Sequence, residues 1–325
     1  MGTRSVLPGS TSIARPTDAA SPTHRFRRVR LDRVRALFDA WASLDNIVSP
    51  EAGALRDAVI SALKEDREHY SDIFEASIQV AKSQQFAFRF SYAFPGFRAD
   101  PALSIRHALA AAAPFGPRVT ASVKRLFRAA LHAVVEQPLI GIAWDRGSEP
   151  RHKVYLQLRD DAGAEGVHHV AEVLGMPFLN DALRDMRLHM VGVDFGSHGV
   201  TGAKLYVVHS RVERSSDDGI ARTAALLDPA AVAFHNVLAI HRLDAGSALR
   251  AALPSVSDID VGLDEAGPTW DRVSAAPAIA PILQRSRIWA ELRDNFVLGP
   301  RRVSISVRAP HALTVYYGLR EVEES

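Results

Sequence analysis

The spacing of apolar positions changes along the chain. Residues 31–44, LDRVRALFDAWASL, set Leu31, Val34, Leu37, Phe38 and Trp41 on one helical face, and residues 51–66, EAGALRDAVISALKED, continue in that style. From residue 73 the period shortens. IFEASIQV (73–80) and FAFRFSYAF (86–94) read as strands around the polar turn AKSQQ, which predicts a hairpin. LIGIAWD (139–145) and KVYLQL (153–158) repeat this around RGSEPRH, and MVGVDF (190–195) and AKLYVV (203–208) around GSHGVTG. VLAIHRL (237–243) is followed by DAGS and ALRAALPSV, and VSISVRA (303–309) and LTVYYGL (313–319) flank a Pro-His turn. Helical patterns lie between the hairpins at 104–135, 167–175, 181–187 and 275–296.

The hairpins share a register. Asp145 precedes Lys153 by eight residues, and Asp194 precedes Lys204 by ten. In the fourth hairpin His241 takes the aspartate place and Arg250 follows nine later; in the fifth, Arg308 is followed by Thr314 after six. Arg89 holds the lysine place in the first. Tyr155 and Tyr206 are 51 residues apart and Tyr206 and Tyr316 are 110 apart, about two such steps. The five second strands therefore read R-F-S, K-V-Y, K-L-Y, R-A-A and T-V-Y. Strand side chains alternate, so each cation shares a face with the residue two later, and Val154, Leu156, Leu205 and Val207 take the other face. One such Lys-x-Tyr would be a solvated lysine beside a half-buried tyrosine; the shared register argues for a common purpose. Ten antiparallel strands favour closure, because closure removes the edges. The expected fold is α+β: a ten-stranded antiparallel β-barrel of five αββα repeats, with helices outside and a ligand lumen inside.

Arg89, Lys153, Lys204 and Arg250 inside a barrel would be costly without an anion. Diphosphate suits them, since Arg and Lys both hold phosphate oxygens. Tyr155, Tyr206 and Tyr316 add aromatic faces that stabilise a carbocation. Cations for a leaving diphosphate beside rings that shield a carbocation are what isoprenyl transfer requires. With KVY, KLY and TVYYG in this register, residues 70–320 resemble the ABBA-fold aromatic prenyltransferases of the dimethylallyltryptophan synthase and cyanobactin types. The resemblance implies diphosphate binding by Arg89, Lys153, Lys204 and Arg250, and a carbocation shield of Tyr155, Tyr206 and Tyr316. It also implies a glutamate that orients the acceptor and takes its proton, here Glu75, with Asp145, Asp194 and His241 as second candidates. The chain departs from the pattern at Ser91 and Ala252, where tyrosines could stand, and at Thr314 in a cation place. A reduced shield fits a longer prenyl donor.

Composition narrows the alternatives. A net charge of +2 is too small to argue for nucleic acid, and no window of eighteen apolar residues predicts a membrane span. With no cysteine, disulfides, thiolate metal sites and a cysteine nucleophile are excluded, which is compatible with a cytoplasmic location. Residues 1–28 lack the apolar region of a secretory signal and read as a disordered tail before a single barrel domain, 29–325. DIDVGLDE (258–265) lacks a DDxxD pattern and reads as an acidic surface loop. His168 and His169, adjacent on a helix, point apart and read as surface or packing residues. No GxxxxGK[ST], GxGxxG or GxSxG occurs. The expected activity is transfer from dimethylallyl, geranyl or farnesyl diphosphate to an electron-rich acceptor, either a small aromatic molecule or a peptide side chain. No cofactor is obligatory; Mg²⁺ is compatible but not required. Two alternatives remain: a non-catalytic barrel that binds a phosphorylated or hydrophobic ligand, and a diphosphate-dependent cyclase on the same barrel.

Overall fold

The structure is a computed structural model that describes residues 50–65, 74–81, 85–145, 149–208, 237–244, 252–262, 298–307 and 312–319. Its strands are β1 (Phe74–Ala81), β2 (Gln85–Ala93), β3 (Val135–Asp145), β4 (Arg151–Leu158), β5 (Arg187–Gly196), β6 (Gly199–Val208), β7 (Val237–Asp244), β8 (Val256–Gly262), β9 (Leu298–Ser306) and β10 (Ala312–Leu319). Each pairs antiparallel with its neighbours in chain order, and β1 pairs with β10, which closes the barrel. Helix α1 (Pro50–Glu65) precedes the first hairpin. Helices α2 (Pro101–Ala112) and α3 (Pro117–Ala129) link the first hairpin to the second, and α4 (Gly163–Leu174) with the single turn α5 (Leu179–Ala182) links the second to the third. The helical patterns at 31–44 and 275–296 fall outside the described residues.

Local chemistry sets the helix ends. Pro101 opens α2, and the Asp100 carboxylate accepts the Leu103 N–H at 2.9 Å. Pro117 opens α3 after Gly116, whose φ of +94° suits glycine. Helix α3 buries Val119, Val123, Leu126 and Phe127 and exposes Arg118, Lys124, Arg125 and Arg128. Gly175, left-handed at φ +68°, ends α4.

The core is the layer between helices and the outer barrel wall. Phe90, Tyr92, Ile140, Ile142, Val154, Leu156, Val191, Val193, Leu205, Val207, Ile259, Val303 and Ile305 lie in one buried cluster with the helix residues Val123, Phe127 and Val170. The expected outward positions Val154, Leu156, Leu205 and Val207 are all in it. The opposite strand face, with the polar side chains, therefore lines the lumen.

The fourth hairpin differs from the sequence reading. Residues 258–262 are not a surface loop but most of β8, and residue 252, expected on a second strand, sits in a bend ahead of it. The turn from β7 is longer than in the other hairpins, so a fixed offset misplaced the strand. Arg250 lies outside the described residues, as does Arg308. In the third hairpin the turn contracts to Ser197 and His198, because pairing runs on to Gly196 and Gly199.

Candidate functional site

Hairpin pairing brings the inward residues together. Lys153 pairs with Gly141 on β3 and Asp194 on β5, and Tyr155 with Gly192. Lys204 pairs with Gly192 and Arg242, and Tyr206 with Met190 and Ile240. Arg89 stands between Ser77 and Ala143, Tyr316 between Ser77 and Arg302, and Thr314 between Gln79 and Ser304. Glu75 pairs with Ser91 and Gly318, on the same barrel face as Arg89 and Lys153. Asp145 is at the hairpin end of β3, opposite Ala87.

The inward face is banded. Towards the hairpin end lie Arg89, Arg151, Lys153, Lys204 and Arg242, five basic side chains against the carboxylates Asp194 and Asp258. One inward step further along β4 and β6 come Tyr155 and Tyr206, whose ring centroids are 6.3 Å apart in an edge-on pair. These rings meet because residue 192 is glycine: a Cβ there would lie 2.8 Å from the Tyr155 ring and 3.6 Å from that of Tyr206. Tyr206 packs with Leu238 and Ile240 as an apolar patch, with Tyr155, Met190 and Val208 at its margin.

Burial governs the charges. Lys153 is 2% exposed and donates to Asp194 Oδ1 at 2.5 Å. Burial lowers its pKa to about 8, with Asp194 opposing the shift and Arg89 adding to it. Lys204, 5% exposed, is held well below the usual lysine range by burial and then by repulsion from Lys153 and Arg89. Burial alone would raise Asp194, but Lys153 and Lys204 override it and hold the carboxyl below its ordinary value. Burial keeps the Tyr206 phenol protonated. Arg89 donates from Nη2 to Gln79 Oε1 at 2.7 Å.

Two sequence assignments in the fourth hairpin change. His241 pairs with Leu205 on the outward face and bonds through Nδ1 to the Pro254 carbonyl at 2.7 Å, so it is not the counterpart of Asp194. The inward residue is Arg242, whose Nη2 lies 2.8 Å from Asp258 Oδ2. The acidic stretch read as a surface loop puts Asp258 and Asp260, 6% and 2% exposed, on the lumen face. Their signal was present: D-I-D-V alternates polar and apolar as K-V-Y-L does. Arg302 was missed likewise, at the head of R-V-S-I-S, where Val303 and Ile305 face out. On α4, His168 lies 3.7 Å from Glu172 at the surface, whereas His169 is buried, donating from Nε2 to the Ala129 carbonyl at 3.0 Å and stacking on His132.

The chain is similar to 5-dimethylallyltryptophan synthase from Streptomyces coelicolor, with a TM-score of 0.60 at 16% identity over 90% of this chain and 98% of that one. It is similar to the prenyltransferase PriB, with a TM-score of 0.62 at 16% identity over 91% and 99%. With 6-dimethylallyltryptophan synthase from Micromonospora olivasterospora, solved in complex with DMASPP and Trp, the TM-score is 0.54 at 17% identity over 76% and 82%. No protein-family model and no curated protein sequence matches the chain. The closed antiparallel barrel, its outer helices and these whole-length likenesses give the chain the fold of the ABBA aromatic prenyltransferases.

Proposed function

We propose that the protein transfers an isoprenyl group from an allylic diphosphate to an electron-rich acceptor, aromatic or a peptide side chain. The observation that carries this reading is the banded lumen: a band of basic side chains, Lys153 and Lys204 buried among them, next to the edge-paired rings of Tyr155 and Tyr206. Arg89, Lys153 and Lys204 bind the diphosphate and draw electron density from the breaking C–O bond, which is worth most in a dry site. Arg250 is assigned to the same cradle from its sequence place. Tyr155, Tyr206 and Tyr316 lie over the allylic cation and shield it from water. Glu75 orients the acceptor from the row that holds Lys153. The acceptor then attacks C1 and a proton is lost. The neighbours named as dimethylallyltryptophan synthases support this class of chemistry, two of them solved with DMASPP and Trp. On this reading the basic side chains offset the diphosphate charge, and no metal is obligatory.

The test is diphosphate release from dimethylallyl, geranyl and farnesyl diphosphates, with and without a panel of indoles, phenols and tyrosine- or tryptophan-containing peptides. Release should depend on acceptor and be lost in the Lys153→Ala/Lys204→Ala variant. Donor-specific stabilisation with no release from any donor would leave a binding barrel instead.

A further inference from the structure

The lumen holds a third carboxylate that neither the cation band nor Glu75 accounts for. Asp260 lies on β8 between Leu238 of β7 and Ser304 of β9. Asp194 is bonded to Lys153 and Asp258 to Arg242, but Asp260 Oδ1 is buried with no hydrogen-bond partner among the described residues. Burying a polar oxygen unsatisfied costs about 1–3 kcal/mol, so such an atom calls for a reason. Its place suggests one. Its cross-strand partner Leu238 belongs to the apolar patch of Tyr206 and Ile240, the part of the lumen suited to hydrocarbon.

Resting on the transfer reading, we propose that Asp260 is the catalytic base that receives the acceptor's proton. The allylic C1–O bond breaks and its electron pair leaves with diphosphate. A π pair of the acceptor ring forms the new bond to C1. The C–H bond at that ring carbon then breaks, its electron pair restores aromaticity, and the proton goes to Asp260 Oδ1. This separates proton removal from acceptor orientation, the role given to Glu75.

Charges around Asp260 fit a base that works near neutrality. Burial raises its pKa to about 6, opposed by Arg302 on β9, a Ser304 hydrogen bond and Lys204 on β6, and reinforced by Asp258 on its own strand. From β7 the facing residue is the apolar Leu238, and Tyr206 of β6, kept protonated, is within electrostatic reach. Above pH 6 the group is a carboxylate, and a more basic one than an ordinary aspartate.

The experiment compares the full-length wild type, Asp260→Asn and Asp260→Glu. It reads inorganic diphosphate binding by calorimetry, and the division of dimethylallyl diphosphate between prenylated acceptor and prenyl alcohol from pH 5 to 9, with the acceptor panel above. The expected result is unchanged diphosphate affinity in Asp260→Asn, at least a 100-fold loss of prenylated product with alcohol still formed, and loss of the acid limb near pH 6. Asp260→Glu should restore part of the product and the limb. Transfer at the wild-type rate in Asp260→Asn, or product and diphosphate binding lost together while Asp260→Glu behaves alike, overturns the assignment alone. Absence of transfer by the wild type with every acceptor overturns the transfer reading, and this assignment with it.

Discussion

Binding of inorganic diphosphate at pH 8 is expected to draw protons onto the lumen lysines. Burial holds Lys153 at about 8 and Lys204 well below the usual range. At pH 8 Lys153 therefore carries about half a proton, and Lys204 less than an exposed lysine would. A bound polyanion restores the ordinary preference for the charged amine, so binding takes up about 0.5 proton at Lys153 and up to about one more at Lys204. The sign follows from the depressed values: the free barrel holds fewer protons than the complex, so affinity falls as pH rises through 8. The loss approaches about 1.4 kcal/mol, or tenfold, per pH unit for each linked proton. Calorimetry at pH 8 in buffers of different ionisation enthalpy measures the uptake as the slope of observed heat against buffer heat. Diphosphate itself titrates, but that contribution is common to wild type and Lys204→Met, so their difference isolates the share of the coupled lysines. A difference of zero, or net proton release in the wild type relative to Lys204→Met, would refute the reasoning.

Three further outcomes are expected. Lys153→Ala should cost about 3 kcal/mol in urea denaturation, because it strands the Asp194 carboxylate, and Lys153→Ala/Asp194→Ala should recover part of that; equal losses would show that the pair is not coupled. Gly192→Ala should cost about 1–3 kcal/mol by driving a methyl into the Tyr155 ring, with prenyl transfer falling further than diphosphate binding; unchanged stability would show that the ring has room to move. His152 is buried between Phe115 and Phe195, and burial lowers its pKa to about 3, so its contribution is fully present above pH 6.5 and is lost as pH falls towards 3. Between pH 6.5 and 5 this should remove about 2 kcal/mol, and His152→Phe should flatten that slope in urea midpoints measured at the two pH values.

Much of the barrel was legible because a strand buried on one side announces its period. K-V-Y-L and K-L-Y-V carry both face and register, and their hairpins close with short turns, so counting from Asp to Lys kept the two in step. The fourth hairpin broke the count. Its strands are separated by eleven residues, and a bulge lets Ile240 pair with Asp258 while His241 pairs with Val256. A one-residue error in a strand exchanges the faces, which is why His241 was read in the place that Arg242 holds. Spacing along the chain cannot see an inserted loop; alternation within a segment can, and D-I-D-V showed it. What no local pattern showed is Gly192, since the need for a missing side chain arises only when Tyr155 and Tyr206 meet across β5.

The misread aspartates also show why this barrel invites error. In most soluble sheets the apolar face is inward and a charged residue marks the outside. Here the helices cover the outer wall, so Val, Ile and Leu face out and the charges face in. An acidic run then means the reverse of its usual meaning: Asp258 and Asp260 are buried in the wall of the lumen. Such a lumen resists collapse, because charged groups that cannot all be paired gain nothing from closing on one another. Lys204, pressed towards neutrality by burial and then by Lys153 and Arg89, carries that unrelieved repulsion, and a polyanion bound among the three relieves it directly. The repulsion that adds to burial in depressing the lysine therefore contributes to the affinity for the anion, so substitutions that raise the resting pKa of Lys204, such as Lys153→Met, should weaken diphosphate binding by less than their lost charge alone implies.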